Sequence, residues 1–287
     1  MLAARLAEFQ AAGLDTHEAV DARGDWVAAN RSTIIVTIRM LTRTTQFDAA
    51  AALAATVWQV AGHVDDPSWL QALARSGEDA AIGARDPRVL IELLSASAEV
   101  FAAACDLRTA QQQRIRAVDV CYRFGDHART VAALTALRDL YLDWNRVSKA
   151  LDVSLELVAA YESAGEWDAT VGALSDMGTI LLGGHRFAAA ETYLARADQI
   201  VTDAPDQISP AVRARMLELR GRAVWHTGEP HRAHRYFDDA LALLVDVDDA
   251  AADRVRRLRP HAPARRCLSG SGPSSTRRGA VMNRAAG

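Results

Sequence analysis

Lysine is nearly absent from this chain: among 33 basic residues only Lys149 is not an arginine. Cysteine is scarce too, with Cys105, Cys121 and Cys267 far apart and no CxxC pair. That spacing excludes a thiolate metal site and a disulfide framework. No run of 18 apolar residues occurs, so the sequence offers no membrane-spanning helix. The stretch from Met1 to Gly13 carries Glu8 early and lacks a basic-then-apolar plan, so it does not read as a signal peptide. Strand signals are almost missing; the one β-branched run, Ile34-Ile35-Val36-Thr37-Ile38, lies inside a stretch that also fits a helix. These absences predict an all-α chain in a reducing cytoplasm.

What is present is ample apolar material. Half the residues are hydrophobic and 24% are charged, enough to bury a core and outside the signature of disorder. The bias to arginine and alanine matches GC-rich codons and predicts a bacterial source. Charge is unevenly placed: nine arginines and no acid follow Asp253, so the body before it is strongly acidic. An acidic body repels nucleic acid at long range, which leaves the basic tail as the one element able to meet it.

Apolar residues recur at helical spacing, as in Val171, Leu174, Gly178 and Leu181, then Ala190, Tyr193, Leu194, Ala197, Ile200 and Val201. The breaks are short. Gly125-Asp126 ends one helix and offers a cap to the next; Gly165, Gly183-Gly184 and Gly228 are terminators, and Pro230 fits a first helical turn. Breaks this short predict antiparallel hairpins.

A register search finds the hairpins repeating. The set Leu174, Gly178, Leu181, Ala190 and Ala197 returns as Leu217, Gly221, Val224, Ala233 and Ala240. Earlier copies are Leu134, Arg138, Tyr141, Ala150, Leu157 and Leu94, Ala98, Phe101, Ala110, Ala117. A weaker first copy is read as Ile34, Ile38, Leu41, Ala50 and Val57, followed by an extra helix near Trp69 to Ala84. Small residues allow close helix approach, larger ones fill the gaps, and stability comes from stacking.

These markers resemble the tetratricopeptide repeat in a longer-period form, well over Leu90 to Val247 and loosely over Trp26 to Ala84. The first-helix tryptophan and the repeat proline of that family are missing. The resemblance implies an all-α, right-handed solenoid of about 10–12 helices arranged as antiparallel hairpins. The organisation expected is an N-terminal helical region with one degenerate repeat over 1–85, repeats over 86–250 and a disordered basic tail over 251–287. The run Asp25-Trp26-Val27-Ala28-Ala29-Asn30-Arg31, the helix Phe47 to Trp58 and Trp69 are similar to the C-terminal arms of actinobacterial signal-transduction NTPase regulators (NB-ARC/STAND type). With no GxxxxGK[ST] loop present, that kinship implies a detached sensing or docking arm without ATPase activity.

Sites for chemistry are few. His226, His231 and His234, with Glu229, straddle a turn without HExxH spacing and are read as solvated histidines, not ligands. Cys105 and Cys121 fall in apolar helical stretches and are read as buried inert thiols. Neither a GxSxG nor a phosphate-cradling loop exists, so no catalytic, cofactor or metal site is assigned and the chain is not read as an enzyme.

By resemblance, the first helix of each pair lines a groove. The side chains expected there are Arg215, Glu218, Arg222 and Trp225 in the last copy and Glu92, Glu99 and Asp139 earlier. Arg215 and Arg222 lie two turns apart and suit a carboxylate. The lysine and asparagine clamp of chaperone-binding relatives is missing. The function expected is therefore a non-catalytic protein- or peptide-binding scaffold within a bacterial signalling or transcriptional regulator. The alternative is a peptide-signal receptor that switches superhelix curvature. A last pair left uncovered near Val247 would expose an apolar face for self-association.

Overall fold

The structure is a computed structural model and describes residues 24–244 and 248–259. The expectations for the segment from Met1 to Gly13, for the tail beyond residue 259 and for Cys267 lie outside the described residues. Within them every regular element is helical. A helical stretch over 24–29 leads into α1 (Arg31–Arg43), α2 (Phe47–Trp58), α3 (Pro67–Ala84), α4 (Pro87–Ala103), α5 (Leu107–Phe124) and α6 (His127–Asp143). The chain continues through α7 (Val147–Ala164), α8 (Trp167–Gly183), α9 (Phe187–Asp203), α10 (Pro210–His226), α11 (Pro230–Leu244) and α12 (Asp249–Leu258). The β-branched run lies in α1, with Ile34, Ile35 and Ile38 buried.

The register seen in sequence is the register of the core. Every marker from Leu94 onward is buried except Arg138. The long step from Gly178 to Gly221 has a local cause: a 3-10 turn, Pro205–Gln207, lengthens the α9–α10 joint. Joints are left-handed at residues 85, 105, 125, 145, 165 and 185, a beat of 20 residues, or one per helix. Five of the eight positive-φ sites carry side chains, Cys105, Asn145 and His185 among them. After Cys105, Asn145 and His185 the following residue donates its N–H back to a marker carbonyl, Asp106 to Phe101, Arg146 to Tyr141 and Arg186 to Leu181, closing the helix end with a Schellman-type bond. Gly183-Gly184 does not take this role, because Gly184 keeps φ at −87° and His185 adopts φ 56°.

Two expectations are corrected. The first copy does not pair α1 with α2 and leave α3 over. The phase of the later repeats, carried back 40 residues, falls on Ala54, Trp58, Ala61, Leu70 and Gly77, all buried. So α2 and α3 form the first hairpin, and α1 packs on both ahead of it. The second correction concerns the boundary at 251. Asp248 caps α12 by accepting the Ala251 N–H at 2.9 Å, and Ala251, Ala252 and Val255 are buried against α11. The hairpin α10–α11 is thus covered by a helix whose arginines face outward, and the apolar face expected to be left open there is closed.

Candidate functional site: the inner helix row

First helices pack on one another at two of the steps, α2 on α4 and α8 on α10. Second helices meet across the repeat mainly through long side chains, such as Arg196 Nη2 to Glu162 Oε1 at 2.6 Å. A solenoid whose first helices approach closer than its second helices curves toward the first, so α4, α6, α8 and α10 form the inner row.

Along that row an ion chain crosses three repeats. Asp176 on α8 accepts from Arg138 on α6 at 3.4 Å and from Arg215 on α10 at 2.7 Å. Arg138 also holds Asp139 at 2.9 Å. The misfit at the second marker therefore has a reason: Arg138 stands where its neighbours carry Ala98, Gly178 and Gly221, and its guanidinium leaves the helix interface to bridge to the next repeat. Sequence reasoning missed Asp176; its only signal was a position two residues past Leu174 on the groove side.

The expected groove residues divide. Glu92, Glu99 and Asp139 are exposed, and Glu99 accepts from Arg114 at 3.4 Å. Arg215 is exposed and Arg222 is half-buried. Trp225 is half-buried and meets the ring of His234 edge-on at 5.7 Å. Glu218 does not face the groove. It is 4% exposed and held by Arg254 of α12 at 3.2 Å, with Arg222 at 4.0 Å. A carboxylate so enclosed is not offered to a ligand.

Beside the Arg138–Asp176–Arg215 chain the row carries small residues, Ala132, Thr135, Gly172 and Thr179. A Cβ added at Gly172 would meet nothing within 4 Å, so the surface there is open. The row thus runs from carboxylates on α4 and α6 to the arginines of α10.

Of the three histidines expected to be solvated, His226 and His231 are exposed, His226 stacking on Phe187 at 4.2 Å, and His234 alone departs, both its ring nitrogens buried without a hydrogen-bond partner. Among the described residues no cluster of histidine, cysteine and carboxylate groups could hold a metal, and no helix is long and apolar enough to cross a membrane. Cys105 is exposed at a left-handed joint, contrary to the buried reading; Cys121 is buried, and burial pushes its thiol pKa up.

No family model matches the chain, and no curated protein matches it. Solved structures do. A signal-transduction ATPase with numerous domains (STAND) carrying a tetratricopeptide repeat sensor, from Pyrococcus horikoshii, aligns over 90% of this chain with TM-score 0.51 and 10% identity. Aspartyl phosphate phosphatase F from Bacillus subtilis aligns over 73% with TM-score 0.50 and 13% identity. BtubC from P. vanneervenii aligns over 92% of this chain and 99% of its own length, with TM-score 0.47 and 14% identity. The chain spans 42% of the STAND structure and 55% of the phosphatase. With its markers buried in phase and hairpins stacked every forty residues, the chain has the fold of a tetratricopeptide-type helical-repeat solenoid.

Proposed function

We propose that this chain is a non-catalytic scaffold that binds a protein or peptide segment along its inner helix row, as a sensing or docking module of a bacterial signalling or transcriptional regulator. The observation that carries the reading is the charge polarity of that row. Glu92, Glu99 and Asp139 present carboxylates at one end, Arg215 and Arg222 present guanidiniums at the other, and the open surface at Gly172 lies between. Such a track selects a segment basic at one end and acidic at the other, and fixes its direction. Arginine suits the acidic end because its planar fork meets a carboxylate with two parallel hydrogen bonds. The resemblance to the STAND sensor supports the architecture, and the surface chemistry supports the binding role.

An array of random peptides probed with the whole chain tests it. Bound peptides should carry acids at one end, and the Arg215→Ala/Arg222→Ala double variant should lose those peptides by tenfold or more. Unchanged binding in that variant would remove the inner row from the account.

The ion chain favours a second reading, a receptor that changes curvature. A ligand carboxylate that takes Arg215 from Asp176 would release one of the links between α8 and α10. Small-angle scattering of the chain with and without a bound acidic peptide would read that change directly.

A further inference from the structure

Carboxylates facing a neighbouring repeat are matched by arginine at most joints: Glu78 with Arg116, Glu162 with Arg196, Asp176 with Arg215, Glu218 with Arg254. The joint between the second helices α5 and α7 breaks this rule. Among the described residues no hydrogen bond or ion pair reaches Asp119 or Asp152, and Glu156 accepts only a long bond from Tyr122 Oη, at 3.5 Å. The one cation among the residues lining the cleft is Lys149, which lies over the Tyr141 ring at 5.8 Å from its centroid.

These groups rim a cleft of about 310 Å³. Its floor is apolar: Val118, Leu137, Tyr141 and Val153 are each nearly buried, with exposures between 4% and 6%. Its walls stand proud. Ile115 is 37% and Tyr122 50% exposed, on the same face of α5 as Asp119. A second cleft of about 380 Å³ shares Tyr122 and Glu156 and carries the groove on toward Ser163, so one continuous furrow follows both helices. The cleft between α3 and α5 is also rimmed, but its acid, Glu78, is already held by Gln113 at 2.8 Å and by Arg116.

We infer that the α5–α7 furrow is a second docking surface, on the side of the solenoid away from the inner row, and that its occupant is a cationic amphipathic segment of a partner protein. The segment seats an aliphatic or aromatic side chain on the Val118–Val153 floor and places arginine or lysine against Asp119, Asp152 and Glu156. Charge complementarity selects this occupant. Three carboxylates against one engaged lysine repel an acidic or phosphorylated segment, and a guanidinium can pair with them while stacking on Tyr122. The apolar anchor provides the desolvated centre around which such rim charges act.

Selection of a phage-displayed random peptide library on the whole chain tests the inference, followed by fluorescence anisotropy of the enriched peptides. Enriched peptides should include a class with arginine or lysine within one turn of leucine, isoleucine or phenylalanine. That class should bind at least tenfold more weakly to the Asp119→Asn/Asp152→Asn/Glu156→Gln variant, weaken with added salt, and bind unchanged to Arg215→Ala/Arg222→Ala. Because all three substitutions are at exposed carboxylates, a circular-dichroism melt of the variant should match the parent. Absence of a cationic class overturns the inference, as does a cationic class indifferent to the triple variant. Loss through Arg215→Ala/Arg222→Ala alone would place all binding on the inner row. Self-association of the chain that dissolves in the triple variant would make the occupant a second copy and overturn the assignment to a partner.

Discussion

A Cβ built on Gly178 would lie 2.8 Å from Leu194 Cδ2 and 2.9 Å from its Cγ, so α8 and α9 meet at a point where no side chain fits on one of them. Because the branch carbon of Leu194 is within that distance, rotation of a terminal methyl does not relieve the clash. Gly178→Ala should therefore destabilise by about 1–2 kcal/mol, the overpacking cost outweighing the gain in helix propensity. Gly172, one helix position set earlier on the open side of α8, meets nothing within 4 Å, and Gly172→Ala should stabilise by about 0.5–1 kcal/mol. Urea unfolding of both variants reads the two signs; equal signs would mean that close approach is not what fixes glycine at position 178.

The partner positions on the second helices should be equally intolerant. Ala190 and Ala233 are wholly buried, each facing the first helix of its own pair. Replacing either with leucine should destabilise by roughly 1–3 kcal/mol, measured by the shift in urea midpoint at constant slope. Neutral results at both would show that the register does not set the hairpin packing.

Much of this architecture was legible in the sequence, because a stacked hairpin must keep small residues at its crossings and those recur visibly. The first repeat escaped for a physical reason. There Trp58 occupies the second marker and Gly77 the fifth, while Ala54 replaces the leucine of the first, so a search by residue size at each position does not see the copy. A Cβ added at Gly77 would lie 3.0 Å from Ala54 Cβ. Helix α12 was hidden by its arginines, which mask the stripe of Ala251, Ala252 and Val255 that follows the Asp248 cap. The groove was legible only in outline. Which arginine takes which acid, Arg254 on Glu218 or Arg215 on Asp176, depends on the spacing of neighbouring helices, and no local signal encodes it.

Arg220 is the most enclosed cation among the ion pairs, its side chain 8% exposed, held by Glu191 at 3.2 Å and by Asp198, with its guanidinium 4.8 Å from the Tyr236 ring. It ties α9, α10 and α11 together from one point. Arg220→Ala leaves Glu191, whose Oε2 already has no hydrogen-bond partner, with only the longer contact to Arg232 at 3.5 Å. Breaking a buried pair costs about 3–5 kcal/mol, and the partial exposure of Asp198 lowers the expectation here to about 2–3 kcal/mol. Arg220→Met, which keeps the packing, should cost less than Arg220→Ala in thermal unfolding. Equal losses would assign the effect to charge alone.

Two helix caps should contribute to the acid limit of the fold. Asp66 accepts from the Ser68 hydroxyl and the Trp69 N–H, and Asp126 accepts from the Arg129 N–H and its guanidinium. In both, these bonds hold the carboxyl pKa below the usual aspartate value, the Ser68 bond being the largest cause at Asp66 and the Arg129 N–H at Asp126. A carboxyl whose folded pKa is depressed adds stability above its unfolded pKa, about 3.9, and loses it as pH falls through the lower folded value. Thermal midpoints should therefore be level near neutrality and fall below about pH 4. Asn retains the capping oxygen but does not titrate, so Asp66→Asn and Asp126→Asn should lower the midpoint at neutral pH and flatten the acid limb together. An acid limb as steep in the double variant as in the parent would show that other carboxylates govern the loss.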